Sequence, residues 1–70
     1  MRSAQGRLND AEREFQRALA IYRSAFGDMH SGVAQCLNSL AGIASERRRD
    51  QEARRLYARA LEVRKAVLVS

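Results

Sequence analysis

The sequence predicts an all-α protein of three antiparallel helices, and three observations carry that prediction. Pro is absent while Ala and Arg abound, a composition that favours helix over strand. Apolar residues recur at three- and four-residue steps in three separate stretches, the stripe of an amphipathic helix. Two of those stretches nearly repeat one another: DAEREFQRALAIYRSAFG at 10–27 and EARRLYARALEVRKAVLV at 52–69.

The first helix is expected over about 9–26, on a stripe of Leu8, Ala11, Phe15, Ala18, Leu19, Tyr22 and Phe26. Gly6 punctuates the chain before it, and Asn9 is placed to cap its start with Glu12 as capping-box partner. Gly27 is a natural stop, because Gly adopts the left-handed C-cap conformation without strain. A short connector, Gly27 to Gly32, offers Asp28 or Ser31 as the next cap. The second helix is expected over about 31–47, its stripe formed by Val33, Leu37, Leu40, Ala41 and Ala44 and widened by Ala34 and Ile43. The polar run Glu46 to Gln51 reads as a turn, and Asp50 is placed to cap the third helix. That helix is expected over about 50–68, with Ala53, Leu56, Tyr57, Ala60, Leu61, Val63, Val67 and Leu68 on its stripe. Short connectors pack successive helices antiparallel.

Seventy residues make a single unit, 1–70, with a small core. Cys36 is the only cysteine, so no internal disulfide can staple it. One Cys and one His fall short of the four ligands of a structural zinc site, so no metal is expected. No run approaches the ~20 apolar residues of a membrane span. The N-terminus lacks the apolar centre of a signal peptide, which makes the cytoplasm the default location. The formal net charge is +5, and twelve of the thirteen basic residues are Arg. Such a surface prefers planar, forked contacts with carboxylate or phosphate.

The two similar stretches align without a gap at an offset of 42 residues. Ala11, Ala18 and Leu19 fall on Ala53, Ala60 and Leu61, while Phe15, Ile21 and Phe26 fall on Tyr57, Val63 and Leu68. A fixed offset of this size marks stacked helical repeats. The motifs Leu37-x-x-Leu40-Ala41-x-x-Ala44 and Ala53-x-x-x-Tyr57-x-x-Ala60, with Ala11-x-x-x-Phe15-x-x-Ala18 one repeat earlier, resemble a tetratricopeptide repeat. Gly27-x-x-His30-x-x-Val33-Ala34 followed by Leu37-Asn38-x-Leu40-Ala41 is similar to the longer repeats of kinesin light chains and related bacterial proteins. The resemblance spans 6–68 and implies about one and a half repeats of an α-solenoid.

This resemblance implies a repeat-packing core of Leu8, Ala11, Phe15, Ala18, Leu19, Tyr22, Leu37, Leu40, Ala41, Ala44, Ala53, Tyr57, Ala60 and Leu61. Small residues at Ala41, Ala53 and Ala60 allow close helix approach, and the rings of Phe15 and Tyr57 fill the space between layers. Some positions depart from the family pattern. Asp28 and Ser31 stand where prolines are usual, Arg48 where Gly is usual, and Ser39 where a second Asn is common. The resemblance further implies a start in mid-repeat, with an apolar face open at each end. The expected form is then a fragment of a longer array or a homo-oligomer.

No cofactor and no catalytic constellation are expected. His30 lies in a connector with no nucleophile placed beside it, and reads as a helix-start residue packing over that connector. Cys36 sits next to an apolar stripe, not in the electropositive setting a reactive thiol needs. The expected role is a protein–protein interaction scaffold. In this repeat family the first helix of each repeat lines a concave surface, which points to Gln35, Asn38, Ser39, Gly42 and Ser45 as peptide-binding residues. Gly42 in a helix interior costs about 1 kcal/mol relative to Ala, which argues for something approaching closely there. Arg47, Arg48, Arg49, Arg54 and Arg55 cluster about one turn and are candidate contacts for an acidic partner. A self-assembling structural module is one alternative reading. A basic nucleic-acid-binding domain is the other, and is less well supported because no aromatic residues interleave the arginines for base stacking.

Overall fold

The computed structural model describes residues 4–69, with side chains placed from residue 6 onward, so the two ends of the expected 1–70 unit lie outside the described residues. They form three α-helices: α1 (Ala4–Phe26), α2 (Ser31–Glu46) and α3 (Asp50–Val69). No strand occurs among the described residues. The central helix, α2, packs against both neighbours, whereas the backbones of α1 and α3 stay apart. The Cα envelope measures 45 × 24 × 13 Å, an elongated slab.

This arrangement explains why α2 is the most apolar of the three. It buries Val33, Ala34, Cys36, Leu37, Leu40, Ala41, Ile43 and Ala44, while α3 adds only Ala53, Ala60 and Val63. The core cluster joins Val33, Ala34 and Leu37 to Ala60 and Val63, with Leu19 and Tyr22 of α1 and Leu56 and Val67 of α3 around it. Ala41, Ala53 and Ala60 are buried as the close-approach reading requires.

The helix ends show which local signals decide the boundaries. Gly27 takes the left-handed conformation, φ +83°, and its N–H bonds to the Arg23 carbonyl at 2.9 Å, closing α1 as expected. The start of α1 differs: the helix begins at Ala4 and runs through Gly6, so neither Gly6 nor Asn9 interrupts it. Asn9 lies within the helix and is no cap; its side-chain Oδ1 accepts a hydrogen bond from the Arg47 guanidinium. The cap of α2 is neither Asp28 nor Ser31. It is His30, in an extended conformation, whose Nδ1 accepts from the Gly32 N–H at 3.0 Å. The imidazole lies flat on the Phe26 ring, with centroids 4.4 Å apart and planes at 12°, and stacks on Tyr22 at 5.6 Å. Those two rings hold it in the capping pose. Asp28 turns outward to pair with Arg23 at 3.0 Å.

At the other end of α2, the Arg49 N–H bonds to the Ala44 carbonyl at 2.9 Å and the Arg48 N–H to the Ser45 carbonyl at 3.0 Å. This bond pair closes the helix in the Schellman pattern, which demands a left-handed residue. Arg48 fills that place at φ 61°, the position where the family prefers Gly. Asp50 is the first residue of α3, not its cap; the Arg49 carbonyl accepts the Ala53 N–H at 2.9 Å. Asp50 and Glu52 instead favour the first turn through the helix dipole.

Two substitutions test these constraints. Arg48→Gly relieves the left-handed strain, which costs an L-residue ~1–2 kcal/mol. After the entropic cost of Gly, a rise of a few degrees in melting temperature is expected by circular dichroism. Gly32 is a site of close approach: a Cβ there would lie 2.5–2.7 Å from three ring atoms of Tyr22. Gly32→Ala is therefore expected to cost about 1–3 kcal/mol, a fall of about 4–8 °C per kcal/mol in the same measurement.

Candidate partner-binding surfaces

The outward side of α2 carries the polar residues that its two packed sides exclude. Gln35, Asn38 and Ser45 are exposed, and Ser39 and Gly42 are half-buried at their margin. These residues fall at three- and four-residue steps, so the helix sets them in one row. Beside the row stands Tyr57 of α3, whose hydroxyl is 3.9 Å from where a Cβ on Gly42 would sit. Apart from the helix's own neighbouring backbone, nothing else among the described residues comes within 4 Å of that point. Among the described residues no neighbour makes the close approach that Gly42 was expected to answer, and a Cβ there would meet Tyr57 only at ordinary van der Waals distance.

The arginine cluster does not act as one surface. Arg47 turns inward, its side chain 11% exposed, and donates to the Glu12 carboxylate of α1 at 3.0 Å and to the Asn9 side chain. It is a clamp between α1 and the end of α2, so it is unavailable to an acidic partner. Glu12, expected in a capping box, is consumed by the same clamp. Arg48, Arg49, Arg54 and Arg55 are exposed, and Arg49 pairs weakly with Glu52 at 3.7 Å. A shallow polar depression at the start of α3 is lined by Arg49, Asp50, Gln51, Glu52 and Arg55. A second along α1 is lined by Arg7, Asp10, Ala11, Arg13, Glu14 and Arg17. Each mixes acids with bases, which breaks up the single-sign field that phosphate binding uses.

A protein-family model described as tetratricopeptide repeat matches residues 1–66. The chain belongs to the tetratricopeptide repeat family. No curated protein and no solved structure gives a match. Tetratricopeptide repeats generally mediate protein–protein interaction.

Within the repeat, the two similar helices divide one packing pattern between them. On α3, Ala53, Ala60 and Val63 are buried against α2, while Val63's counterpart on α1, Ile21, is 64% exposed. The opposite holds on the neighbouring face. Glu12, Leu19, Tyr22 and Phe26 of α1 meet Arg47, the core, Gly32 and His30 in turn. Their counterparts on α3 point to solvent. Tyr57 and Leu61, expected in the packing core, are 45% and 54% exposed, and Leu68 is 84% exposed. The physical reason is that α2 covers this face on α1, and no described helix covers it on α3. The remaining core expectations fall as follows: Leu37, Leu40, Ala41, Ala44, Ala53 and Ala60 are buried, and Leu8, Ala11, Phe15, Ala18, Leu19 and Tyr22 are half-buried.

Cys36 is buried, and desolvation pushes its thiol pKa up, away from the reactive thiolate. No cluster of three or more His, Cys, Asp or Glu residues suited to a metal ion occurs among the described residues. Among the described residues no helix is long and apolar enough to cross a membrane.

The clamp can be measured directly. Arg47→Met removes both charge-assisted bonds and strands Glu12, so a loss of about 1–3 kcal/mol is expected in urea denaturation. Arg55→Ala, at an exposed position, is expected to stay within about 0.5 kcal/mol.

Proposed function

We propose that this chain is a protein-interaction module that holds an extended peptide along the outward row of α2. The observation that carries this reading is Gly42. A helix-interior Gly gives up about 1 kcal/mol relative to Ala, yet room for a Cβ exists on its outer side. Folding therefore does not require the side chain to be absent, whereas a peptide backbone lying against the helix would. Asn38, exposed one turn away, offers an amide that can donate to and accept from such a backbone at once. Gln35 and Ser45 extend the polar row, Ser39 borders it, and the Tyr57 ring supplies an apolar wall. The 42-residue offset supports assignment to the longer, kinesin-light-chain-like type of repeat.

The test uses peptides selected from a random display library against the immobilised chain. Gly42→Ala is expected to raise the melting temperature by several degrees while weakening the selected peptides about tenfold. Asn38→Ala is expected to weaken them similarly, by roughly 1.4 kcal/mol for a lost amide pair, with melting unchanged. Peptides that bind both variants as tightly as the parent chain would refute the groove.

A further inference from the structure

α2 carries a single charged residue, Glu46, so its polar row is neutral and most of the charge lies on the two helices that flank it. One arrangement of that charge occurs twice. At an offset of 42 residues, Arg13 and Arg17 of α1 fall on Arg55 and Arg59 of α3, whereas their outward neighbours differ, Gln16 falling on Ala58 and Ala20 on Glu62. All four arginines are exposed, and none forms an ion pair among the described residues. Within each pair the residues stand four positions apart, which makes them neighbours on the helix surface. Like charges at that spacing weaken a helix.

Arg55 and Arg59 occupy a side of α3 that is neither the buried Ala53–Ala60–Val63 side nor the Tyr57–Leu61–Leu68 stripe. A helix stacked on that stripe would leave both in solvent, and the same holds for Arg13 and Arg17 by their equivalent place on α1. Equivalent positions of successive repeats face one side of a stack. We infer that the two arginine pairs form one docking surface for an acidic, extended segment of a partner protein, separate from the α2 row. One carboxylate serves a whole pair, because its two oxygens can accept from both guanidinium groups at once. Helices packed in succession lie ~8–10 Å apart, so α1 and α3 stand at most about 20 Å apart, within the 24 Å width of the envelope. An extended segment rises about 3.3 Å per residue, which sets its two acidic positions about six residues apart.

The same surface disfavours a nucleic acid. Asp10 and Glu52 stand three positions before Arg13 and Arg55, and Glu62 stands three after Arg59. A phosphate backbone presents charge without interruption, so it would set like charges against these acids. Carboxylates spaced along a protein segment reach the arginines and skip the acids between them, which selects a protein over a phosphate polymer.

The experiment titrates the full nitrogen-15-labelled chain with a synthetic glycine–serine peptide carrying two pairs of glutamates about six residues apart, followed by amide NMR at low salt. Shift changes are expected around Arg13, Arg17, Arg55 and Arg59, with Asn38 unmoved. Arg13→Gln together with Arg17→Gln should weaken binding about fivefold, and Arg55→Gln with Arg59→Gln should do the same. Neither paired variant should melt lower than the parent chain, because each relieves a repulsion. Arg54→Gln with Arg64→Gln removes the same charge elsewhere on α3 and should change binding less than about twofold. Four results would each overturn the inference. They are no shift changes at the four arginines, equal weakening by the Arg54 and Arg64 changes, equal binding of a peptide whose four glutamates are contiguous, and tighter binding of single-stranded RNA or phosphatidylserine vesicles at equal salt. Failure here with library peptides still dependent on Asn38 would leave the α2 groove standing; the converse pattern would leave this surface standing.

Discussion

The fold rests on one helix being apolar on two sides. α2 sets Gly32 under Tyr22 of α1, and its Val33, Ala34 and Leu37 cluster with Ala60 and Val63 of α3, while Ala41, Ala53 and Ala60 are nearly inaccessible to water. Small residues there bring the backbones close, so a modest number of side chains achieves dense packing. The α1 and α3 backbones stay apart, so the packing of both flanks is organised on α2. A chain of this size has little stability to spare, and that dependence makes the central helix its weakest point for substitution.

Arg47 adds an electrostatic constraint to the apolar one. Its guanidinium reaches from the end of α2 to both Glu12 and Asn9, which fixes the register of α1 along α2. At the far end of the same interface, His30 stacks on Phe26 and Tyr22 while capping α2. The α1–α2 contact is thus pinned at both extremities, and the apolar residues between need only fill space.

Periodicity and the 42-residue offset made most of the architecture legible: helix number, order, the α2 core and the stop at Gly27 all follow from them. The start of α1 did not, because Asn9 looks like a cap in isolation and its actual partner lies 38 residues away. The His30 cap was hidden for a related reason, since an imidazole serves there only with two rings beneath it. The burial of Tyr57 and Leu61 was misjudged because an apolar stripe announces a packing face without saying what covers it. The polar row on α2 was readable, since residues excluded from two apolar seams must point outward. The inward turn of Arg47 was not, as nothing local separates it from Arg48 and Arg49.

A slab whose outer helices each lean on a single neighbour has consequences for how it moves. Amide exchange should be slowest in α2 and accelerate toward the outer edges of α1 and α3, because opening either flank leaves the other pair intact. Contacts that are all between sequence neighbours keep loop-closure costs small, so folding is expected to be rapid. A partner that seats itself on either flank would therefore add order as well as contact, slowing exchange in a helix that otherwise frays alone.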